Sequence, residues 1–193
     1  MTDTIELTID GMAQGGAGVG RWQGQVVFAL GGLPTERVRV QVQHNKGNYL
    51  RGVVVDVVEA APERIPPRLP TSDHMPWQHI DYAAQVGFKE TILHEQIRKH
   101  TGIANPPILP MLSAARPWHY RNTARLHLAA TRDGVQIGYY ASGSHTVQPL
   151  PYDPLLLPAL NEALLALHTI CAQHGGRPLP TDVLLRGSEA YGY

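Results

Sequence analysis

The chain has 193 residues, of which 16 are Lys or Arg and 16 are Asp or Glu, so its formal net charge is zero with histidine neutral. No overall field draws such a molecule onto a polyanion, and any nucleic-acid binding has to come from a local patch. The single cysteine, Cys171, excludes an internal disulfide and points to a reducing compartment. The first residues lack a basic stretch followed by an apolar core, and no apolar run nears the roughly 20 residues of a spanning helix, so the chain reads as soluble and cytoplasmic.

Ile5, Leu7 and Ile9 alternate with Thr4, Glu6 and Thr8, the pattern of a half-buried strand. Gly11–Phe28 follows, with six glycines within fourteen residues, and reads as a flexible excursion between strands that presents Arg21 and Trp22. It does not read as a phosphate loop, because a strand and not a helix N-terminus comes after the glycines. Gln25–Leu30 predicts a second strand, and Val38, Val40 and Val42 mark a third. A turn at Lys46-Gly47-Asn48 leads into Tyr49–Val58. Four or five short strands in about 60 residues predict a small closed barrel of the oligonucleotide-binding (OB) kind over residues 1–60.

Pro62, Pro66, Pro67 and Pro70 predict a linker over 61–76. Beyond it, Ile80, Ala84, Phe88 and Ile92, extended by Leu93 and Ile97, predict a helix with a wide apolar face, capped by Asp81 and closed at Gly102. Ala124–Ala130 and Val135–Tyr140 form a hairpin about Asp133-Gly134. Asp153-Pro154 opens a helix through Leu160, Leu164 and Cys171 that closes at Gly175-Gly176, and Asp182–Arg186 begins a further strand. The expected fold class is therefore α+β: a five-stranded OB-like barrel, then a partial α+β domain over 77–193 with an antiparallel hairpin sheet and two helices.

Several stretches in this order resemble one family. Ile9-Asp10-Gly11-Met12-Ala13-Gln14-Gly15-Gly16-Ala17-Gly18-Val19-Gly20-Arg21 is similar to the opening of a TRAM domain, and Leu33-Pro34-Thr35-Glu36-Arg37-Val38 to its middle turn. Gln78–Gln85 with Phe88-Lys89, Arg116–Asn122, and Gly138-Tyr139-Tyr140 with Ser144-His145 resemble the segments that follow in the S-adenosylmethionine-dependent RNA uracil-5-methyltransferases. The resemblance implies an RNA partner, a ribosomal or transfer RNA loop, and a role in forming 5-methyluridine. Many members hold an iron–sulfur cluster on four cysteines, and the corresponding positions here are about Arg68, Ser72, Met75 and Asp153. Without thiolates no cluster is expected.

In the family, the methyl-donor domain with its cofactor loop, nucleophilic cysteine and base lies beyond the point matching Tyr193. The chain is therefore expected to be a fragment or split product, with no catalytic residues, no bound cofactor and no activity alone, working with a separate catalytic domain or chain. Cys171, in a predicted helix interior, matches no catalytic motif.

On this resemblance the expected RNA contacts are Arg21, Trp22, Lys46, Tyr49 and Arg51 in the first domain and Arg121, Asn122 and Arg125 in the second. Residues 1–64 carry six Lys/Arg and seven Asp/Glu, so such a patch would bind modestly. Each residue also has a plain alternative. The cations could simply be solvated, Trp22 could sit in the core, and Arg121 could pair with a carboxylate. His74 and His79, and His94 and His100, lack the i, i+4 spacing of a helical metal site. The apolar face of the Ile80–Ile97 helix suits either internal packing or docking of the absent domain. The rival to the whole reading is a free-standing RNA-binding or adaptor module.

Overall fold

The computed structural model describes residues 3–69, 74–173 and 179–188. Its fold is α+β, and it divides into two compact units, Met1–Ser113 and Ala114–Tyr193.

In the first unit, β1 (Thr4–Met12), β2 (Gly18–Trp22), β3 (Gln25–Leu30), β4 (Arg37–Asn45) and β5 (Tyr49–Glu59) close into a barrel in the order β1-β2-β3-β5-β4. All neighbours are antiparallel except β3 and β5, which run parallel. The alternation read from the sequence supplies the core: Ile5, Leu7 and Ile9 meet Val27, Ala29, Val38, Val40 and Leu50. Full burial of each large aliphatic contributes about 1.5–3 kcal/mol, so the inward face fixes the register.

The glycine-rich stretch is not one flexible loop. Its second half is β2, and Gln23 and Gly24, with φ of 48° and 82°, join β2 to β3 in a two-residue turn of the type I′ pattern. Turn chemistry at Gln23-Gly24 outweighed glycine content as the organising signal.

Much of the expected linker is folded against the barrel. Ala61 and Ile80 are buried with Leu33 in a second small core, flanked by Met12, Trp77, Ala84 and Phe88, and Met75 is also buried. The side chain of Gln78 brackets the backbone of Leu69, donating to its carbonyl at 2.9 Å and accepting from its N–H at 2.8 Å. Proline-rich backbone cannot form a ladder, so side chains supply its partners. Pro70 and Ser72 lie outside the described residues.

Glu36, fully buried in the β3–β4 connection, is the clasp. It accepts hydrogen bonds from the Leu33 N–H at 2.9 Å, the Ala61 N–H at 3.2 Å and the Arg64 guanidinium at 2.7 Å. Arg64 also donates to the Gly31 carbonyl at 2.6 Å. Burial pushes the Glu36 carboxyl up, but the Arg64 bond and charge and the two backbone donors outweigh it and hold it below its ordinary value.

Helix α1 (Tyr82–Thr101) starts and stops where the sequence indicates. Asp81 accepts from the N–H groups of Ala83 and Ala84, and Gly102 ends the helix in the left-handed conformation at φ 74°. Of its expected apolar face, no residue is fully buried and only Ala84 and Phe88 join the second small core, so internal packing uses little of it.

In the second unit, β6 (Thr123–Thr131), β7 (Gly134–Tyr140), β8 (Val147–Pro149) and β9 (Asp182–Arg186) form an antiparallel sheet in the order β8-β7-β6-β9. One face is covered by α2 (Pro158–Ala172), where Leu126, Ile137, Leu160 and Leu164 are buried. This helix begins later than expected, at Pro158, because Asp153 turns the chain by accepting from the Leu155 N–H at 2.9 Å. The expected closure at Gly175-Gly176 lies outside the described residues. Among the described residues no helix is long and apolar enough to cross a membrane.

Candidate nucleic-acid interface

Antiparallel and parallel pairing alike put register partners on the same face of a sheet, so the outer surface of the barrel can be read row by row. Arg21, Val26 and Tyr49 are partners across β2, β3 and β5. The next row runs Val19, Phe28, Arg51 and His44 across β2, β3, β5 and β4. Phe28 and Tyr49 meet edge to face with centroids 5.6 Å apart, and the Arg51 guanidinium carbon lies 5.8 Å and 5.7 Å from the two rings. The β4–β5 turn brings in Lys46. Its N–H donates to the Tyr49 carbonyl at 3.0 Å, and the Gln25 side chain holds the neighbouring Gly47 carbonyl at 2.5 Å.

Four of the expected contacts, Arg21, Lys46, Tyr49 and Arg51, thus share one surface. Phe28 completes it, although sequence reasoning took Phe28 only as part of an apolar run. The strand alternation that turns Val27 and Ala29 inward was the available signal that Phe28 points out.

The opposite side of the barrel is charged but self-satisfied. Arg37 pairs with Glu6 at 2.9 Å and Glu59 at 2.5 Å, and Arg39 pairs with Glu6 at 3.2 Å and Asp56 at 2.9 Å. Exposed pairs of this kind contribute little stability, but they cancel the field there. Among the described residues, Arg21, Lys46 and Arg51 have no carboxylate within salt-bridge distance. These unneutralised cations therefore flank the half-buried Phe28–Tyr49 pair, a combination that suits a single strand's phosphates and bases.

Trp22 is placed differently from its neighbour. It is half-buried and packs against the barrel core, so the two residues do not form one exposed finger. Arg21 is exposed and donates to the Gly24 carbonyl at 3.2 Å. The pair is separable by mutation. Trp22→Ala should lower unfolding stability by about 2 kcal/mol, less than the ~3–5 kcal/mol of a fully buried aromatic, while Arg21→Ala leaves urea midpoints nearly unchanged. Equal midpoints for the two variants would contradict this assignment.

In the second unit the expected contacts scatter. Arg121 is half-buried, its guanidinium 3.4 Å from the Tyr139 hydroxyl and 3.9 Å from the fully buried Asp153 carboxylate, to which Tyr139 donates at 3.0 Å. Burial first, then the charge of Asp153, pushes the Tyr139 phenol up to about 12, so it stays a donor. The carboxylate alternative for Arg121 is the one seen. Asn122 is exposed, and its carbonyl accepts from the Gly187 N–H at 2.9 Å. Arg125 is exposed beside Asp182 at 3.4 Å. Of the positions matching cluster cysteines, Arg68 is exposed, Met75 is buried and Asp153 belongs to the network just described.

Known proteins resemble this chain in sequence and in fold. Residues 2–55 match the TRAM domain family. The chain is 37% identical over 167 residues to an uncharacterized RNA methyltransferase of Thermosynechococcus vestitus, covering 85% of this chain and 37% of that protein. It is 31% identical over 166 residues to the 23S rRNA (uracil(1939)-C(5))-methyltransferase RlmD of a Shewanella species, covering 83% and 37%. Its fold matches the crystal structure of the tRNA (uracil-54, C5)-methyltransferase of Pyrococcus abyssi with a TM-score of 0.67 at 16% identity, over 96% of this chain and 43% of that one. The chain thus spans well under half the length of these relatives, and it belongs to the TRAM-bearing RNA uracil-C5 methyltransferase family.

Proposed function

We propose that this chain supplies RNA recognition to uracil-C5 methylation, with the outer β2–β3–β5 face of the barrel gripping an unpaired uridine-containing segment. The observation that carries this reading is the Phe28–Tyr49–Arg51 cluster flanked by Arg21 and Lys46, none of the three cations being spent on a carboxylate. Methylating a base in folded RNA requires that it be unstacked or flipped, at a cost of a few kcal/mol. Stacking on a barrel face at ~1–3 kcal/mol per base offsets that cost without reading sequence.

The methyl-transfer step itself is assigned to sequence of the kind the relatives carry and these 193 residues do not match. The glycines at 11–24 do not suit S-adenosylmethionine, because they lie in β1, in β2 and in the turns flanking β2, and not ahead of a helix. Cys171, buried on α2 with burial pushing its thiol up, is poorly placed as a nucleophile.

The test pairs binding with chemistry. The purified chain should bind a uridine-rich hairpin loop several-fold tighter than a fully paired duplex of the same composition, and should transfer no methyl group to it from radiolabelled S-adenosylmethionine. Equal binding of loop and duplex, or methyl transfer by the chain alone, would refute the assignment.

A further inference from the structure

The barrel is not the only surface on which rings and arginines meet. In the second unit, α2 covers one face of the sheet and leaves the other to β6, β7 and β9 residues of alternate parity. Thr123, Arg125 and His127 of β6 pair respectively with Arg186, Leu184 and Asp182 of β9, so these six share that outer face. His127 also pairs with Gly138 of β7, where the backbone of the Gln148–Leu150 stretch approaches closely. A Cβ at Gly138 would come 1.7 Å from the Gln148 carbonyl oxygen, so only glycine is accommodated there.

Two residues further along β7, Tyr140 stacks on His127, with centroids 3.7 Å apart and planes within 7°. His145, from the β7–β8 turn, meets the same tyrosine edge to face at 5.2 Å. Tyr140 remains 37% exposed and Leu184 57% exposed, while the Arg125 side chain is 68% exposed and Arg186 also faces solvent.

We infer that this outer sheet face is a second contact surface for single-stranded RNA, in which a nucleobase stacks against the Tyr140–His127 pair and Arg125 and Arg186 meet the phosphates. The inference rests on the RNA-recognition reading of the barrel but assigns a surface that reading does not use. RNA is the occupant the observations favour. A protein-docking patch gains most from apolar area, and here the exposed apolar contribution is chiefly Leu184, whereas a ring already stacked on an imidazole is held rigid, so binding costs it little rotamer freedom. Arginine beside an exposed ring is the pattern that serves strand backbone and base together. Asp182 tempers the charge by pairing with Arg125 at 3.4 Å, which leaves Arg186 as the principal phosphate partner.

The experiment uses the full chain and a single-stranded oligoribonucleotide of about 20 nucleotides carrying 5-iodouridines, photocrosslinked and mapped by mass spectrometry. A crosslink within residues 139–147 is expected. Tyr140→Leu, which keeps apolar bulk but removes the ring, should abolish that crosslink and weaken binding about five-fold or more, and Arg186→Ala should flatten the salt dependence. Crosslinks confined to the barrel, with Arg51→Ala weakening binding, would overturn this second surface while leaving the barrel reading intact, and would mark the sheet face as protein-facing. Failure of the unaltered chain to bind the oligonucleotide would overturn both. Because the crosslink is read on the unaltered chain, misfolding of a variant does not rescue the idea.

Discussion

Glu36→Ala should destabilise the first unit by about 3–5 kcal/mol in urea unfolding, the range for removing one partner of a buried ion pair. The loss has three parts: the Arg64 guanidinium is left without its counter-charge, and the Leu33 and Ala61 N–H groups are left unpaired. Arg64→Ala should cost less, because Arg64 is 21% exposed whereas Glu36 is fully buried, and only Glu36→Ala deprives three donors at once. Tryptophan emission from Trp77, which donates to the Gly16 carbonyl, should report release of residues 61–80 before the barrel melts. A loss under about 1 kcal/mol for Glu36→Ala would show that the clasp is decorative.

The same clasp sets the response to acid. The Glu36 carboxyl is depressed in the fold, so its contribution is complete above its ordinary value of 4.5 and disappears as pH falls through the lower folded value. His79 acts in the same direction. Burial first, then the charge of Arg64, pulls its imidazole from 6.5 down to about 4, so the folded state favours the neutral ring. Its contribution is present above about 6.5 and is lost as pH falls toward 4. Stability should therefore decline from near neutrality downward, and His79→Leu should flatten the upper part of that decline. An unchanged slope between pH 6.5 and pH 4 would exclude His79 as the source.

Phe28→Ala combined with Arg51→Ala should reduce affinity for a uridine-containing loop at least ten-fold, since one stacking ring and one phosphate partner are lost together. Both residues lie outside the barrel core, so the variant should keep its circular dichroism while losing the edge-to-face contact with Tyr49. Three unneutralised cations predict a slope of log K against log salt of about −2, at roughly −0.7 per phosphate for single strands, and Arg51→Ala should reduce it by about 0.7. Arg37→Ala and Arg39→Ala serve as controls, because those guanidiniums are already held by Glu6, Glu59 and Asp56. If the control changes weaken binding as much as Arg51→Ala, the interface lies on the other flank.

What the sequence made legible was local. Alternation at Ile5–Ile9 and Val38–Val42, and the Asp81 and Gly102 caps, act within a few residues and appear in the fold, while the hairpin expected about Asp133-Gly134 forms with its turn one residue earlier, at Arg132-Asp133, and Gly134 opening β7. What escaped depends on partners far along the chain. Trp22 stands among polar neighbours that leave exposure and core packing both open, and its orientation follows from the adjoining Gln23-Gly24 turn and a core built by β1, β3, β4 and β5. The 61–76 segment reads as a spacer because its prolines forbid regular structure, and nothing local reveals that Glu36 anchors it from 25 residues before Ala61. Strand β8, three residues long, carries too little pattern to detect. Phe28 was visible but unread, since an apolar triplet does not say which member faces water until the barrel closes.

The cancelled flank of the barrel has a kinetic consequence. With the β4 arginines tied to carboxylates and the cations of the other side untied, the barrel has a lopsided potential of its own although its charges nearly balance, and it attracts a polyanion to one of its flanks. Encounters would be pre-oriented before any base touches a ring, so capture should quicken at low ionic strength while release, governed by stacking, hardly changes.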